Sequence, residues 1–234
     1  MNMLKMDGIL GAALFFHFTA LAEVIRFDRS LPGQTPAGWT VAMTHVGAPP
    51  QWEVLRDESG PRPQYVLAQT SGDKTAGRFP LAIWQGVTIR DGEVSVAFKT
   101  VDGVVDQAAG IVWRYLDPSD YYIVRANALE NNIVLYKVEN GIRLSIAPNG
   151  LPSRSYGVKR DVPSGRWNRL KVAFTGNVFT VFFNGERLFD AEDGALVSAG
   201  KTGLWTKADS VTYFDEFTVT GSDETKPSER RSSK

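Results

Sequence analysis

The chain contains no cysteine and only two histidines among its 234 residues. Without thiols there is no disulfide, no cysteine nucleophile and no sulfur-ligated metal. His17 lies in an N-terminal apolar run, so His45 is the one imidazole left for a folded domain, and a multi-histidine metal site is excluded. No G-x-S-x-G elbow exists for His45 to serve, and its setting, VAMTHVGAPP, is that of a strand end or loop. Charge of neither sign is in excess, with 26 basic and 26 acidic residues, and the one basic block is the terminal KPSERRSSK. Nucleic acid is therefore excluded as a partner, because binding its phosphates needs a clustered positive face that releases counter-ions.

Long hydrophobic runs are also missing, apart from Gly8 to Phe16. That run follows Lys5 and precedes Ala20-Leu21-Ala22, a small-x-small cleavage site, so residues 1–22 read as a secretory signal peptide. It is shorter than the roughly 20 apolar residues a membrane helix requires, and the following EVIRFDRS is no stop-transfer flank. The expected mature chain starts at Glu23, carries no membrane span and is exported to the periplasm or beyond the cell. An oxidising compartment permits disulfides without requiring them, so the lack of cysteine does not conflict with export. Residues 23–221 suffice for one large β domain with its own core. The polar stretch 222–234, with Pro227 and no apolar period, reads as a disordered tail.

What the domain has in abundance is period-two alternation. VIRF, YVLA, LAIW, VTI, VSVAFKTV, GIVWRY, YYIVRA, IVLYKV, RLSIA, RLKVAF, VFTVFF, RLFD, GLW and VTYFDEFTV all fit strands, and Gly, Asn, Asp or Pro punctuate them. This pattern predicts an all-β, antiparallel two-sheet sandwich. In VFTVFFNGERLFD, Asn184-Gly185 suits a type I′ turn pairing Val178 to Phe183 with Glu186 to Asp190. Before it, Leu170, Val172 and Phe174 alternate with Arg169, Lys171 and Ala173, which sets one buried and one wet face. The stretch GAPPQWEVLRDESGPRPQ holds four prolines and reads as a surface excursion or sheet edge, with Trp52 plugging an end of the sandwich.

The hairpin WRYLDPSDYYIVRAN, Trp113 to Asn127, sets two arginines among large apolar side chains. A turn centred on Pro118-Ser119 would pair 115 with 122, 113 with 124 and 112 with 125. Alternation then puts Ile111, Trp113, Tyr115, Tyr122, Val124 and Ala126 on the core face. Val112, Arg114, Tyr121, Ile123, Arg125 and Asn127 take the other, solvent-facing side. On that side the arginines either cover the sheet with their stems, pairing with Asp117, Asp120 or Glu130, or present guanidinium forks to sugar hydroxyls and carboxylates. The ligand-binding candidates are thus Arg114, Arg125, Asn127 and Tyr136, although the face of Tyr136 is open because Ile133/Leu135 and Val134/Tyr136 are equally apolar.

Glycoside hydrolysis needs two carboxyl groups about 5 to 9 Å apart. No E-x-D-x-E or E-x-D-x-x-E strand supplies them, and Asp215-Glu216 would point opposite ways in a regular strand. No catalytic residue is assigned, and hydrolase or lyase chemistry would need acids gathered from separate strands. No cofactor is implied. Structural calcium has oxygen donors in Asp117, Asp120, Asn131, Asn132 and Asp215, with no spacing that orders them.

FDEF (Phe214 to Phe217), GRWNRLKV, FFNGERLFD, GLWTKADS and RYLDPSDYYIVRA together resemble the concanavalin A-like lectin/glucanase superfamily. More narrowly, the chain from Val24 to Thr220 is similar to secreted bacterial laminin-G-like domains grouped with the 3-keto-disaccharide hydrolases (domain of unknown function 1080) and family 16 glycosidase-like proteins. The resemblance implies a jelly roll whose concave sheet binds saccharide. The family 16 catalytic signature is absent, so the resemblance does not carry hydrolase activity over. The expectation is an exported, non-catalytic module with a carbohydrate or polysaccharide partner. Its alternatives are the hydrolase or lyase and an envelope adhesion or assembly module.

Overall fold

The computed structural model describes residues 21–59 and 64–221. Residues 1–20 of the expected signal peptide and the expected tail, 222–234, lie outside them. In chain order the strands are β1 (Leu21–Ile25), β2 (Trp39–Thr44), β3 (Trp52–Asp57), β4 (Gln64–Gln69), β5 (Phe79–Ile89), β6 (Gly92–Asp102), β7 (Ala108–Asp117) and β8 (Asp120–Asn127). They continue with β9 (Asn132–Glu139), β10 (Ile142–Ile146), β11 (Val158–Lys159), β12 (Asn168–Thr175), β13 (Val178–Phe183), β14 (Glu186–Glu192), β15 (Gly200–Trp205) and β16 (Val211–Gly221). They form two eight-stranded antiparallel sheets. The first runs β14-β13-β12-β6-β16-β4-β3 with β1 also on β16; the second runs β10-β9-β8-β7-β15-β5-β2 with β11 also on β9. The all-β sandwich predicted from period-two patterning is the fold.

Alternation builds the core as expected. Leu170, Val172 and Phe174 are buried while Arg169, Lys171 and Ala173 are not. Asn184 and Gly185 take positive φ (49° and 84°), and Phe183 pairs with Glu186 across the I′ turn. Trp113 sits at the centre of the interior, 5.4 Å from the Tyr122 ring, 5.8 Å from Phe174 and 5.3 Å from Phe179. The proline-rich stretch contributes β3, an edge strand of the first sheet, and Trp52 packs 5.7 Å from Phe214.

The second sheet has a second core on its outer face. Phe79, Leu81, Ile83, Val112, Tyr121, Ile123, Val134, Tyr136, Val138 and Trp205 are all buried there, apart from the inter-sheet cluster. Curvature explains it. Strands about 4.8 Å apart would separate β10 from β5, five places away, by about 24 Å in a flat sheet. Yet the Arg143 guanidinium on β10 lies 4.7 Å from the Phe79 ring on β5. His45, just beyond β2, faces the Gly77 carbonyl with Nδ1 (2.7 Å) and the Gly141 carbonyl of the β9-β10 turn with Nε2 (2.8 Å). The sheet therefore curls outward, making that face concave.

The curl and a β-bulge together overturn the expectation that the hairpin arginines face solvent. Arg125 is 0% exposed and Arg114 1%. Arg125 is on the expected side, but that side is a basin floor. Arg114 is on the opposite side, because the register shifts between Trp113 and Asp117 and Arg114 takes φ 47° in the resulting bulge. The bulge also sends Tyr115 to the outer cluster instead of the core. Gly200 permits this, since a Cβ there would come within 2.5 Å of the Arg114 backbone carbon.

Candidate functional site

The basin is assembled from β5, β7, β8, β9, β10 and β15, with the segment between β10 and β11 at its rim. On β9, Ile133 and Leu135 enter the inter-sheet core, so Val134 and Tyr136 face the basin. On β10, Ile146 is a core residue, and alternation turns Arg143 and Ser145 to the basin side. Tyr136 is almost wholly buried, and its hydroxyl meets that of Tyr156, a rim residue that is 48% exposed. Burial raises the Tyr136 phenol well above the usual tyrosine range, against the nearby arginines, so it stays protonated and hydrogen-bonding.

Two charge pairs underpin the basin. Arg125 donates Nη1 to Glu130 Oε1 (3.2 Å) and Nη2 to Glu130 Oε2 (2.9 Å) and to Asn132 Oδ1 (2.6 Å), while its guanidinium lies 5.7 Å from the Tyr136 ring and 5.8 Å from Tyr156. Burial opposes the Glu130 charge, yet the Arg125 hydrogen bonds and charge outweigh it and hold that carboxyl below its usual range. Nearby, Lys207 Nζ donates to Asp106 Oδ2 (2.6 Å), and Asn127 Nδ2 to Asp106 Oδ1 (2.6 Å). Asn127 Oδ1 accepts from the Leu129 and Glu130 amides, so this side chain caps the β8-β9 turn.

Of the four residues expected to bind ligand, Arg125, Asn127 and Tyr136 come together on this side of the second sheet. Arg114 does not. Its Nε donates to the Arg90 carbonyl (3.0 Å), Nη1 to Leu196 (2.9 Å) and Nη2 to Gly176 (2.6 Å), closing one end of the sandwich. The reach from Arg125 to Glu130 anticipated by the covering reading is present. Sequence reasoning did not single out Arg143, Tyr156, Phe79 or Trp205. Alternation within RLSIA could have put Arg143 and Ser145 on one face, but Tyr156 lies in an irregular segment with no period to read.

Arg143 stands apart. Its guanidinium lies over Tyr136 (4.5 Å), Phe79 (4.7 Å) and Trp205 (5.8 Å) and makes no hydrogen bond or ion pair with any described residue; its Nη1 is buried without a partner.

Four of the five donors considered for calcium are engaged elsewhere. Asp117, Asp120 and Asn131 accept backbone amides of Ser119, Asn140 and Val162, and Asn132 serves Arg125. Among the described residues no cluster of three or more His, Asp or Glu could hold a metal ion. No described helix is long and apolar enough to cross a membrane.

The first sheet carries a carboxylate pair that regular alternation would not give. Phe214 and Phe217 both reach the core, a bulge at Glu216 (φ 47°) separates them, and Asp215 and Glu216 lie between. Glu216 is held by Arg26 (3.1 Å) and Arg169. Asp215 is buried with Oδ1 unpartnered. Burial, then the Glu216 and Asp28 charges, push its carboxyl up to about 6, against a backbone hydrogen bond and Arg26.

No protein-family profile and no curated protein sequence matches the chain. Solved structures do. The carbohydrate binding module CBM66 from Bacillus subtilis superposes with a TM-score of 0.57 at 19% identity, over 79% of this chain and 96% of that one. Domain 4 of AbnA, an extracellular arabinanase from Geobacillus stearothermophilus, gives 0.53 at 13% over 86% and 94%. The exoplasmic/lumenal domain of VIP36 gives 0.50 at 12% over 88% and 94%. At these identities the likeness is one of fold alone: a two-sheet antiparallel β-sandwich.

Proposed function

We propose that this protein is an exported, non-catalytic β-sandwich that binds a glycan in the basin of its second sheet. The observation that carries the reading is the outward curl, which gathers Arg143, Ser145 and Tyr156 around a concave surface floored by buried aromatic rings. Sugars are bound by an exposed aromatic face with a few polar groups at fixed positions, and this arrangement provides both. Arg125 and Tyr136 serve the site from beneath, by holding Glu130, Asn132 and Tyr156 in place. Arg114, at the far side of the sheet, has no part in it. Three neighbours in fold support the reading by their descriptions: a carbohydrate binding module, an arabinanase domain in complex with arabinotriose, and VIP36 in a Ca2+/Man-bound form. Kinship with laminin-G-like and 3-keto-disaccharide hydrolase domains belongs to this reading, as does export on the strength of residues 1–22.

Affinity electrophoresis through gels containing individual polysaccharides tests it. At least one polymer should retard the protein, and Tyr156→Ala should weaken that retardation without lowering the melting temperature. Mobility unchanged by every polymer would refute glycan binding.

A second reading, a carbohydrate-active hydrolase, is favoured by Asp215 and Glu216, adjacent carboxyls whose proton affinities are driven apart as an acid/base pair requires. Against it, Glu216 is already engaged by two arginines. Release of reducing sugar that disappears in Asp215→Asn would establish it.

A further inference from the structure

Every other cationic side chain named around the basin has an acceptor. Arg125 has Glu130, Lys207 has Asp106, and Lys159 donates to the Glu130 carbonyl. Arg143 has none among the described residues, yet it is half-buried and held over three aromatic rings. Cation–π attraction offsets part of its desolvation. It does not supply a hydrogen-bond acceptor, and a buried N–H without one is destabilising. Since Nη1 is the nitrogen packed away and no donor of this group is otherwise engaged, Nε and Nη2 form the edge left to solvent. That edge is a planar two-donor fork, matched in spacing to the two oxygens of a carboxylate.

Resting on the glycan-binding reading above, we propose that the Arg143 fork receives the carboxylate of a uronic acid residue, making the ligand an acidic polysaccharide. Two neighbours fit a sugar ring beside that carboxylate. Tyr156 offers a half-exposed aromatic face, its hydroxyl fixed by Tyr136. Ser145 presents an exposed hydroxyl from the same face of β10. A neutral sugar could use the tyrosine and the serine, but it would leave Arg143, which has no acceptor among the described residues, without a counter-charge. An acid meets both needs.

The test uses the full chain, titrated with three uronate polymers (polygalacturonate, alginate and hyaluronan) and with the carboxyl-reduced form of each. Reduction keeps the sugar and its stereochemistry and removes the charge. At least one acid polymer should bind ten-fold or more tightly than its reduced counterpart, and affinity should fall as salt is raised. Arg143→Gln should abolish that preference, so that acid and reduced polymer bind with the same affinity, and Arg143→Lys should restore it only in part, because an ammonium lacks the fork. Equal binding of acid and reduced forms by the native protein, or a preference that survives in Arg143→Gln, would overturn the assignment even if glutamine or lysine impaired folding in one variant. Binding confined to neutral polymers, or a sulfated dextran preferred to every uronate, would overturn it while the glycan-binding reading stands. Failure to bind any polymer would sink both.

Discussion

Thr44 Oγ1 and Tyr121 Oη meet at 2.7 Å although their strands, β2 and β8, are four places apart in the second sheet. Thr44 donates its own proton to the Pro118 carbonyl, also at 2.7 Å, so the tyrosine is the donor in this contact. One threonine thereby ties an edge strand to the β7-β8 turn across the mouth of the curl. Burial pushes the Tyr121 phenol up to about 12, which keeps the donor protonated throughout the physiological range.

Removing that tie should loosen the curl. Tyr121→Phe is expected to cost about 1 kcal/mol, and Thr44→Val about 1 to 3 kcal/mol because it strands both the Tyr121 hydroxyl and the Pro118 carbonyl. Urea denaturation of both variants and the double mutant checks this. Additive losses would mean that the two residues do not act together.

Arg125 and Arg114 are structural before they are anything else. Arg125→Ala would leave Glu130 half-buried with its partner gone, and a loss of about 3 kcal/mol is expected. Arg125 was expected on the sequence to face solvent; its complete burial reverses that. A melting temperature within a degree of the native value would contradict the ion-pair geometry.

Arg114→Lys should destabilise almost as much as Arg114→Ala, by about 2 to 4 kcal/mol, because one ammonium cannot reach the carbonyls of Arg90, Leu196 and Gly176 together. Ligand binding by any Arg114 variant that stays folded should be unchanged. A selective loss of binding would place this residue in the site.

Asp215 gives a pH dependence with a definite sign. Its folded value of about 6 stands above the unfolded 3.8, so well below pH 3.8 both states hold the proton and the residue costs nothing. As pH rises from about 3 to 6 the unfolded chain ionises first, and stability falls; above pH 6 the penalty is constant, on the order of 3 kcal/mol. Asp215→Asn should therefore raise stability at pH 7 to 8 and leave it unchanged at about pH 2.5, as followed by chemical denaturation at each pH. A uniform shift at every pH would rule out titration as the cause.

Much of the architecture was legible in the chain. The I′ turn at Asn184-Gly185 and the alternation Leu170, Val172, Phe174 are local properties, and the fourteen segments read from period and punctuation fall on thirteen of the sixteen strands, LAIW and VTI being two parts of β5. β2 was passed over because WTVAMT is apolar or small on both sides, and β3 because its flanking prolines mark a loop as readily as an edge. Asp215 and Glu216 were expected on opposite faces, and Arg114 on the outer one. In both places a single residue with positive φ breaks the two-residue period, and nothing in the side chains of Arg114 or Glu216 advertises it.

The order of apolar and polar residues determined by itself that this chain folds as two antiparallel sheets, since each strand's burial pattern follows from side chains alternating across a pleat. Which face is wet was decided only in three dimensions. Curvature is a sum of small twists and bulges over seven strands, and it carried β10 to within reach of β5, turning a face that reads as mixed into a floor of buried rings and paired charges. The same closure left Arg143 over that floor with no acceptor of its own.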